Sequence, residues 1–229
     1  MDNKIDTDKK NNILEVNSNI NKKLECFKNG CKDLVIITDF DFTLTHRYGI
    51  NGENYFASFG CIETFPKLSK KFRDKMIENY NYYAPKEYDL SLSLEERRKL
   101  MNEWTTNGFE MFIKEEIHKE NIKEIVEYSI ENKLILLRKD AEKIFKYGLE
   151  NNVNIYILSA GIQDIIEEFL HQKIPEFKEL VNNNLVHIVS NKLIFNNVGL
   201  ATDYKKPVLN TFAKVDVCKS ICYNVIYIN

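Results

Sequence analysis

Two aspartates, two residues apart, close the segment Leu34-Val-Ile-Ile-Thr-Asp39-Phe-Asp41-Phe-Thr-Leu-Thr45, where a β-branched apolar run gives way to a threonine-rich turn. In an extended strand, residues i and i+2 lie on one side. A turn at the strand end lets the second acid swing to face the first across a small pocket. Carboxylates so close repel each other unless a cation or a phosphate-shaped site makes use of them. A polar strand end with two solvated aspartates is the plain alternative. The buried strand before the pair and the Thr-Leu-Thr after it weigh against that alternative.

Other residues suited to phosphate lie far along the chain. Ser159-Ala160-Gly161 follows the apolar run Val153 to Leu158 and precedes an amphipathic stretch. Its hydroxyl, with the Ala160 and Gly161 amides opening a helix, favours an anion. Lys214, within Asn210-Thr-Phe-Ala-Lys214-Val-Asp216, adds an ammonium, although alone it reads as one more solvated lysine. Two carboxylates hold phosphate only with a bridging cation, and hard oxygen ligands suggest Mg²⁺. Asp39 can then attack phosphorus and form an aspartyl-phosphate. Asp41 can protonate the departing alkoxide and later deprotonate the hydrolytic water. Mg²⁺ and Lys214 would offset charge on the transferring group. His46 adjoins the pair as a bystander, and His118, His171 and His187 are scattered without ligand spacing. Trp104, the only tryptophan, reads as core packing more readily than as a base-stacking platform.

The elements that must position these groups alternate between helix and strand. A helix is expected from about Asn11 to Asn29, a first strand from Leu34 to Thr38, then an aromatic, helical stretch to about Lys133. Within it Pro66 opens a helix that Pro85 ends, Ser93 and Glu96 make a capping box for Leu94 to Glu116, and Asn121 to Asn132 forms another helix. Later come a helix from Asp140 to Asn151, a strand from Val153 to Leu158, a helix from Ile162 to His171, and strands at Val186–Val189 and Tyr223–Ile228. Helices between β-branched strands predict an α/β fold with a parallel sheet. The helical block then reads as a cap over the carboxyl edge of the sheet, where such folds place ligands.

Composition excludes several classes. The 229 residues leave room for one domain carrying a smaller insertion, and 44% hydrophobic with 29% charged content is that of a globular chain. A net charge of −2, from 32 basic and 34 acidic residues, argues against nucleic-acid or membrane-surface partners. No apolar run approaches the roughly 20 residues that span a bilayer. The polar N-terminus resembles neither a secretory signal nor a transit peptide, so a cytoplasmic location is expected. Five scattered cysteines (Cys26, Cys31, Cys61, Cys218, Cys222) read as buried thiols in a reducing compartment.

Taken together, Asp39-Phe-Asp41-Phe-Thr43-Leu-Thr45 resembles the first motif of the haloacid dehalogenase-like phosphatases. More narrowly, the chain is similar to the cytosolic pyrimidine 5′-nucleotidases of type III. The stretches Tyr82-Tyr83-Ala84 with Glu87 and Asp89, Met101-Asn-Glu-Trp104, and Ile157-Leu-Ser159-Ala160-Gly161-Ile162 with Asp164 carry that likeness. Val189-Ser-Asn191 and Phe212-Ala-Lys214 add to it. The resemblance implies a Rossmann-like core from residues 1–45 and 134–229, with a helical cap at 46–133 inserted after the first strand. It implies a monomeric, Mg²⁺-dependent 5′-nucleotidase for CMP- or UMP-like nucleoside 5′-monophosphates. Asp39 would be nucleophile and metal ligand, and Asp41 acid/base with its main-chain carbonyl on the metal. Ser159, Ala160 and Lys214 would bind phosphate. Glu87 would approach the base or sugar, with an extra residue in Pro85-Lys86-Glu87 leaving its register open. Asn107 or Gly108 stands where the family often has a polar group.

One departure concerns the end. The family places an acid-bearing Gly-Asp-Ser-x-Gly-Asp loop after the strand that resembles Asn224–Ile228, and here Asn229 is the last residue. The core is therefore expected to be incomplete at its C-terminus, as in a truncated sequence. A phosphatase for another small ester and a catalytically impaired nucleotide-binding relative stay open as alternatives.

Overall fold

The β-branched run after Leu34 forms β1 (Val35–Thr38), which pairs in parallel with β2 (Asn154–Ile162), Val35 opposite Asn154 and Thr38 opposite Ile157. β2 pairs in parallel with β3 (Val186–Asn191), so the sheet order is β1-β2-β3. The computed structural model describes residues 34–228; the predicted Asn11–Asn29 helix, Cys26 and Cys31 lie outside them. Parallel neighbours need crossover connections, and both crossovers contain helices. The first carries α1 (Ser58–Glu63), α2 (Lys70–Glu87), α3 (Leu94–Lys114), α4 (Lys119–Glu131) and α5 (Glu142–Glu150). The second carries α6 (Gln163–Lys173) and α7 (Phe177–Asn182). An antiparallel hairpin of β4 (Leu193–Phe195) and β5 (Ala201–Tyr204) follows, and then α8 (Lys214–Ile228). The fold is thus α/β with a parallel sheet. Among the described residues, no helix is long and apolar enough to cross a membrane.

Local chemistry accounts for the helix boundaries. The Ser93 hydroxyl accepts from Glu96 N–H at 3.2 Å while Ser93 N–H donates back to the Glu96 carboxylate at 2.8 Å, completing the expected capping box of α3. Both boundaries of α2 differ from expectation. α2 starts after Ser69, whose hydroxyl accepts from Phe72 N–H at 3.1 Å, rather than at Pro66. Pro85 sits inside α2 instead of ending it. The helix runs only to Glu87, so the proline's ring disturbs a last turn and no long downstream segment.

The fourth expected strand, Tyr223–Ile228, is the end of helix α8. A short apolar run looks the same to periodicity in a buried helix or strand. Here no Gly or Pro interrupts the chain after Lys214, and the Asn210 side chain caps its start by accepting from Phe212 N–H (2.9 Å) and Ala213 N–H (3.1 Å). A capped helix without a breaker simply continues.

Phe40, Ile155, Ile157, Phe169 and Phe177 are fully enclosed at the centre of the core, and Phe40 meets Phe169 edge to face at 5.7 Å. A second apolar layer gathers Phe59, Phe72, Phe109 and Phe112, with Tyr204 of β5 stacked on Phe109 at 5.1 Å. The helical excursion leaves and rejoins the sheet at one place. Thr45 and Leu137 form an antiparallel bridge, His46 N–H donates to the Leu136 carbonyl (2.9 Å), and Arg138 N–H donates to the Leu44 carbonyl (2.8 Å).

Truncating Phe169 to Ala should destabilise the chain by about 3–5 kcal/mol, because the ring leaves a cavity under the Phe40 turn. Urea denaturation monitored by circular dichroism measures the loss; a change below 1 kcal/mol would mean that this core is not packed as described.

Candidate active site

The turn after β1 is organised around one carbonyl. Phe40 O accepts from the N–H groups of Thr43, Leu44 and Thr45 at 3.0–3.2 Å, and the Thr45 hydroxyl accepts from Phe42 N–H at 2.9 Å. Phe42 takes φ +64°, a left-handed conformation that a bulky side chain adopts only when its surroundings hold it. Arg138 supplies that hold from the far end of the excursion. Its Nε donates to the Thr45 carbonyl and its guanidinium to the Phe42 carbonyl, both at 3.1 Å. The turn thereby carries Asp39 and Asp41 in fixed relation.

Asp39 receives Phe40 N–H at 2.8 Å on one oxygen and the Lys214 ammonium at 2.7 Å on the other. Asp41 instead turns both oxygens onto Ser58, accepting from its N–H at 2.7 Å and its hydroxyl at 2.9 Å. Burial pushes the Asp41 carboxyl from its ordinary 3.8 up to about 6; the Ser58 hydrogen bonds oppose the rise, the Asp39 charge adds to it, and Lys214 opposes it.

Gly161 shows how closely the strand ends approach. A Cβ built there would lie 2.1 Å from Ser58 Oγ, 2.4 Å from Asp41 Oδ2 and 3.1 Å from Ser159 Oγ. Only a glycine lets β2 pass so near the acid turn. Ser159 is buried and its hydroxyl accepts from Gly161 N–H at 3.0 Å, which leaves its own proton to be donated. The placement of the Ser-Ala-Gly amides differs from expectation. These residues extend β2 through an irregularity in its pairing with β3, and α6 begins only at Gln163. The amides are therefore held along a strand end rather than in the first turn of a helix. The Ala160 carbonyl accepts from the Asn191 side chain (2.8 Å), and the Gly161 carbonyl from the Ser190 hydroxyl (2.8 Å).

Four of the residues singled out in the sequence, Asp39, Asp41, Ser159 and Lys214, thus gather at the carboxyl ends of β1 and β2, with Ala160 beside them. Glu87 stands apart at the end of α2. Its carbonyl accepts from Arg97 at 3.4 Å, and its carboxylate acts on Tyr88, raising that phenol's pKa, an effect that the nearby Arg47 charge partly offsets. None of the described contacts of Glu87 reaches the four. Trp104 lies face to face with Tyr83 at 6.4 Å and edge to face with Tyr80 at 5.9 Å, on the helical side. Cys61 is an enclosed thiol whose pKa burial pushes up to about 12, in keeping with an unreactive core cysteine.

Sequence reasoning missed Ser58 and Arg138, and it took Asn191 only as part of the Val189-Ser-Asn191 likeness, without a role. Ser58 begins a six-residue helix too short for periodicity, though a serine ahead of an apolar run is a recognisable start signal. Arg138 and Asn191 act on carbonyls far away in sequence, and no local pattern announces that.

Among the described residues there is no group of three His, Cys, Asp or Glu side chains that could hold a metal. Asp41 directs both carboxylate oxygens at Ser58, so the residues offer one carboxylate, Asp39, with the main-chain carbonyl of Asp41 two residues on. All-oxygen donors of this kind fit Mg²⁺, which keeps several waters and binds through one or two carboxylates and substrate phosphate oxygens.

Residues 42–227 match the pyrimidine 5′-nucleotidase (UMPH-1) family. A 7-methylguanosine phosphate-specific 5′-nucleotidase of Gallus gallus is 31% identical over 185 residues, covering 81% of this chain and 60% of the relative. The protein of that name from Homo sapiens is 30% identical over 187 residues, covering 82% and 59%. Among solved structures, a cytosolic 5′-nucleotidase IIIB bound to cytidine aligns with a TM-score of 0.68 at 25% identity, covering 85% of this chain and 61% of that one. The chain spans about 60% of the length of these relatives.

Two stability measurements probe this geometry. Folded Asp41 binds its proton more tightly than unfolded Asp41, so stability falls as pH rises from about 4 through about 6. Asp41→Asn removes that penalty. In metal-free buffer it should be more stable than the parent at pH 8 by on the order of 2 kcal/mol, with a melting point about 4–8 °C higher. The difference should vanish near pH 3.5, and an Asn variant less stable at pH 8 contradicts the buried-acid geometry. Gly161→Ala should cost on the order of 1–3 kcal/mol in urea denaturation, because Ser58 and Asp41 must move apart. A neutral effect would show that the strand ends are not in contact.

Proposed function

The chain belongs to the pyrimidine 5′-nucleotidase (UMPH-1) family, and from that premise we propose that it hydrolyses nucleoside 5′-monophosphates to nucleoside and phosphate through an aspartyl-phosphate on Asp39. The observation that carries the reading is the Lys214 ammonium 2.7 Å from Asp39, beside an Asp41 whose proton is held up to about pH 6. The ammonium offsets the Asp39 charge at the strand tip and would meet the oxygens of a phosphate bound there.

An Asp39 oxygen attacks phosphorus, the bond from phosphorus to the ester oxygen breaks, and the leaving alkoxide takes the Asp41 proton. The Asp41 carboxylate then removes a proton from water, which attacks the phosphoryl group; phosphate leaves and Asp39 is restored. Ser58 aims Asp41 throughout, its two hydrogen bonds fixing both carboxyl oxygens. Lys214 and the Ser159 hydroxyl neutralise phosphoryl oxygens. Mg²⁺, held by the Asp39 carboxylate and the Asp41 main-chain carbonyl, would supply further charge neutralisation there. The helices of residues 46–133 would form a cap over this edge, with Glu87 on the nucleoside side.

The nucleobase is the finer question. The relatives named above are specific for 7-methylguanosine phosphate, whereas the solved neighbour holds cytidine. Trp104 against Tyr83, with the Glu103 carboxylate near that phenol, favours a flat and cationic base over a neutral one. A 7-methylguanine base is therefore the second reading beside the CMP- and UMP-like substrates.

Phosphate release from CMP, UMP and 7-methyl-GMP should require Mg²⁺, stop on chelation with EDTA and resume when Mg²⁺ is restored. Asp39→Asn should lower kcat by at least 10³-fold, the scale of losing a covalent nucleophile. Turnover unchanged in that variant would reject the mechanism. Calorimetric binding of CMP without any turnover by the parent chain would mark a nucleotide-binding relative instead.

A further inference from the structure

Asn210 uses both ends of its carboxamide. Its oxygen accepts from Phe212 N–H (2.9 Å) and Ala213 N–H (3.1 Å), capping the turn from which α8 begins at Lys214. Its Nδ2 donates to Oδ1 of Asn102, on α3, at 2.7 Å. Arg97, earlier on α3, lies over the Phe212 ring at 5.5 Å, so a second contact from the same helix reaches the same turn. On the sheet side, Asn191 at the end of β3 holds the neighbouring Leu209 through two bonds, accepting its N–H (2.7 Å) and donating to its carbonyl (2.8 Å). The turn carrying Lys214 is thus gripped from the sheet by Asn191 and from the helical layer by Asn102.

We infer that Asn102 and Asn210 are a positioning pair, which sets the Lys214 ammonium against Asp39 and makes its placement depend on where α3 lies. Neither touches the reacting atoms. The inference rests on the reading of Asp39 and Lys214 as the phosphoryl-transfer groups. A lysine side chain has four rotatable bonds and much rotamer entropy. Fixing the first turn of its helix sets the root from which the side chain reaches Asp39, and a small displacement there is enough to lower a rate severely.

The chemistry of the pair supplies its own test. With Asn210→Asp, the carboxylate still accepts from Phe212 and Ala213, since Asp caps as well as Asn, and the Asn102 amide rotates to donate to it. With Asn102→Asp, the Asn210 amide donates to a carboxylate. Each single variant keeps one hydrogen bond, whereas the double variant faces two carboxylates with no donor between them. Turnover of the best nucleotide substrate should stay within about threefold of the parent in each single variant and fall at least tenfold in kcat/KM in the double. Introduced into Lys214→Ala, the double change should cost no further activity. Hydrogen exchange across residues 211–217 should quicken about tenfold in the double variant alone, with β2 unchanged. A double variant no worse than its singles in both measurements, or losses that simply add to that of Lys214→Ala, would overturn the pair. A parent chain without turnover on any nucleotide defeats the proposed function instead; exchange then decides the pair by itself.

Discussion

The acid turn and the end of the central strand are joined through one hydroxyl. Ser58 Oγ donates to Asp41 and accepts from Ile162 N–H at 3.1 Å, and its own N–H holds the other Asp41 oxygen. Residues 41, 58 and 162 come from the turn after β1, the start of α1 and the end of β2. Strand pairing alone fixes the register of β1 on β2 but not the direction in which their ends bend. The serine fixes that direction. It is fully buried, so each of these bonds exists where water offers no substitute, and loss of one leaves a buried polar group unsatisfied at about 1–3 kcal/mol. Gly161, Ser159 and Asp41 can share one small space because this junction holds.

Chemically similar acids two residues apart are thereby given different surroundings. Asp39 meets an ammonium and a main-chain N–H at the strand tip. Asp41 is folded back against the protein, where removal from water outweighs the two hydrogen bonds and lifts its pKa. Splitting a carboxylate pair in this way is a general route to having a nucleophile and an acid in one site at neutral pH. It also opposes stability, since a buried carboxylate disfavours the folded state whenever it is ionised. The surrounding turn absorbs that cost through a dense set of bonds to Phe40 O, Phe42 O and Thr45 O.

Much of this is legible in the sequence. Asp39, Asp41 and Ser159 stand out because each follows an apolar run, and strand ends are where a parallel sheet exposes chemistry; Lys214, alone one more solvated lysine, stands out only through the likeness of Phe212-Ala-Lys214. The α/β class follows from the same alternation. What stayed hidden depends on contacts between distant residues. Ser58, Arg138, Asn191 and Asn210 are single polar residues whose roles appear only once the chain has brought their partners near. The misread strand at Tyr223–Ile228 is of another kind. Periodicity in a short apolar run does not separate helix from strand, and the side-chain cap at Asn210 that decides the matter lies outside the run. The β4–β5 hairpin could have been found, since Asn196-Asn-Val-Gly199 is a turn signal between apolar segments and Gly199 takes φ +81°.

The bridge between Thr45 and Leu137 has a consequence for how such a protein can change. Departure and return of the helical excursion lie side by side, tied by main-chain bonds from His46 to Leu136 and from Arg138 to Leu44. Lengthening, shortening or reshaping what hangs from this stem leaves the gap that the sheet must span unaltered, and the entropy of closing a longer loop grows only with the logarithm of its length. The stem therefore works as a socket. Selection can rework the surface of the excursion while the acids of the turn stay in register, and Arg138, standing at the return, still reaches the Phe42 and Thr45 carbonyls of that turn.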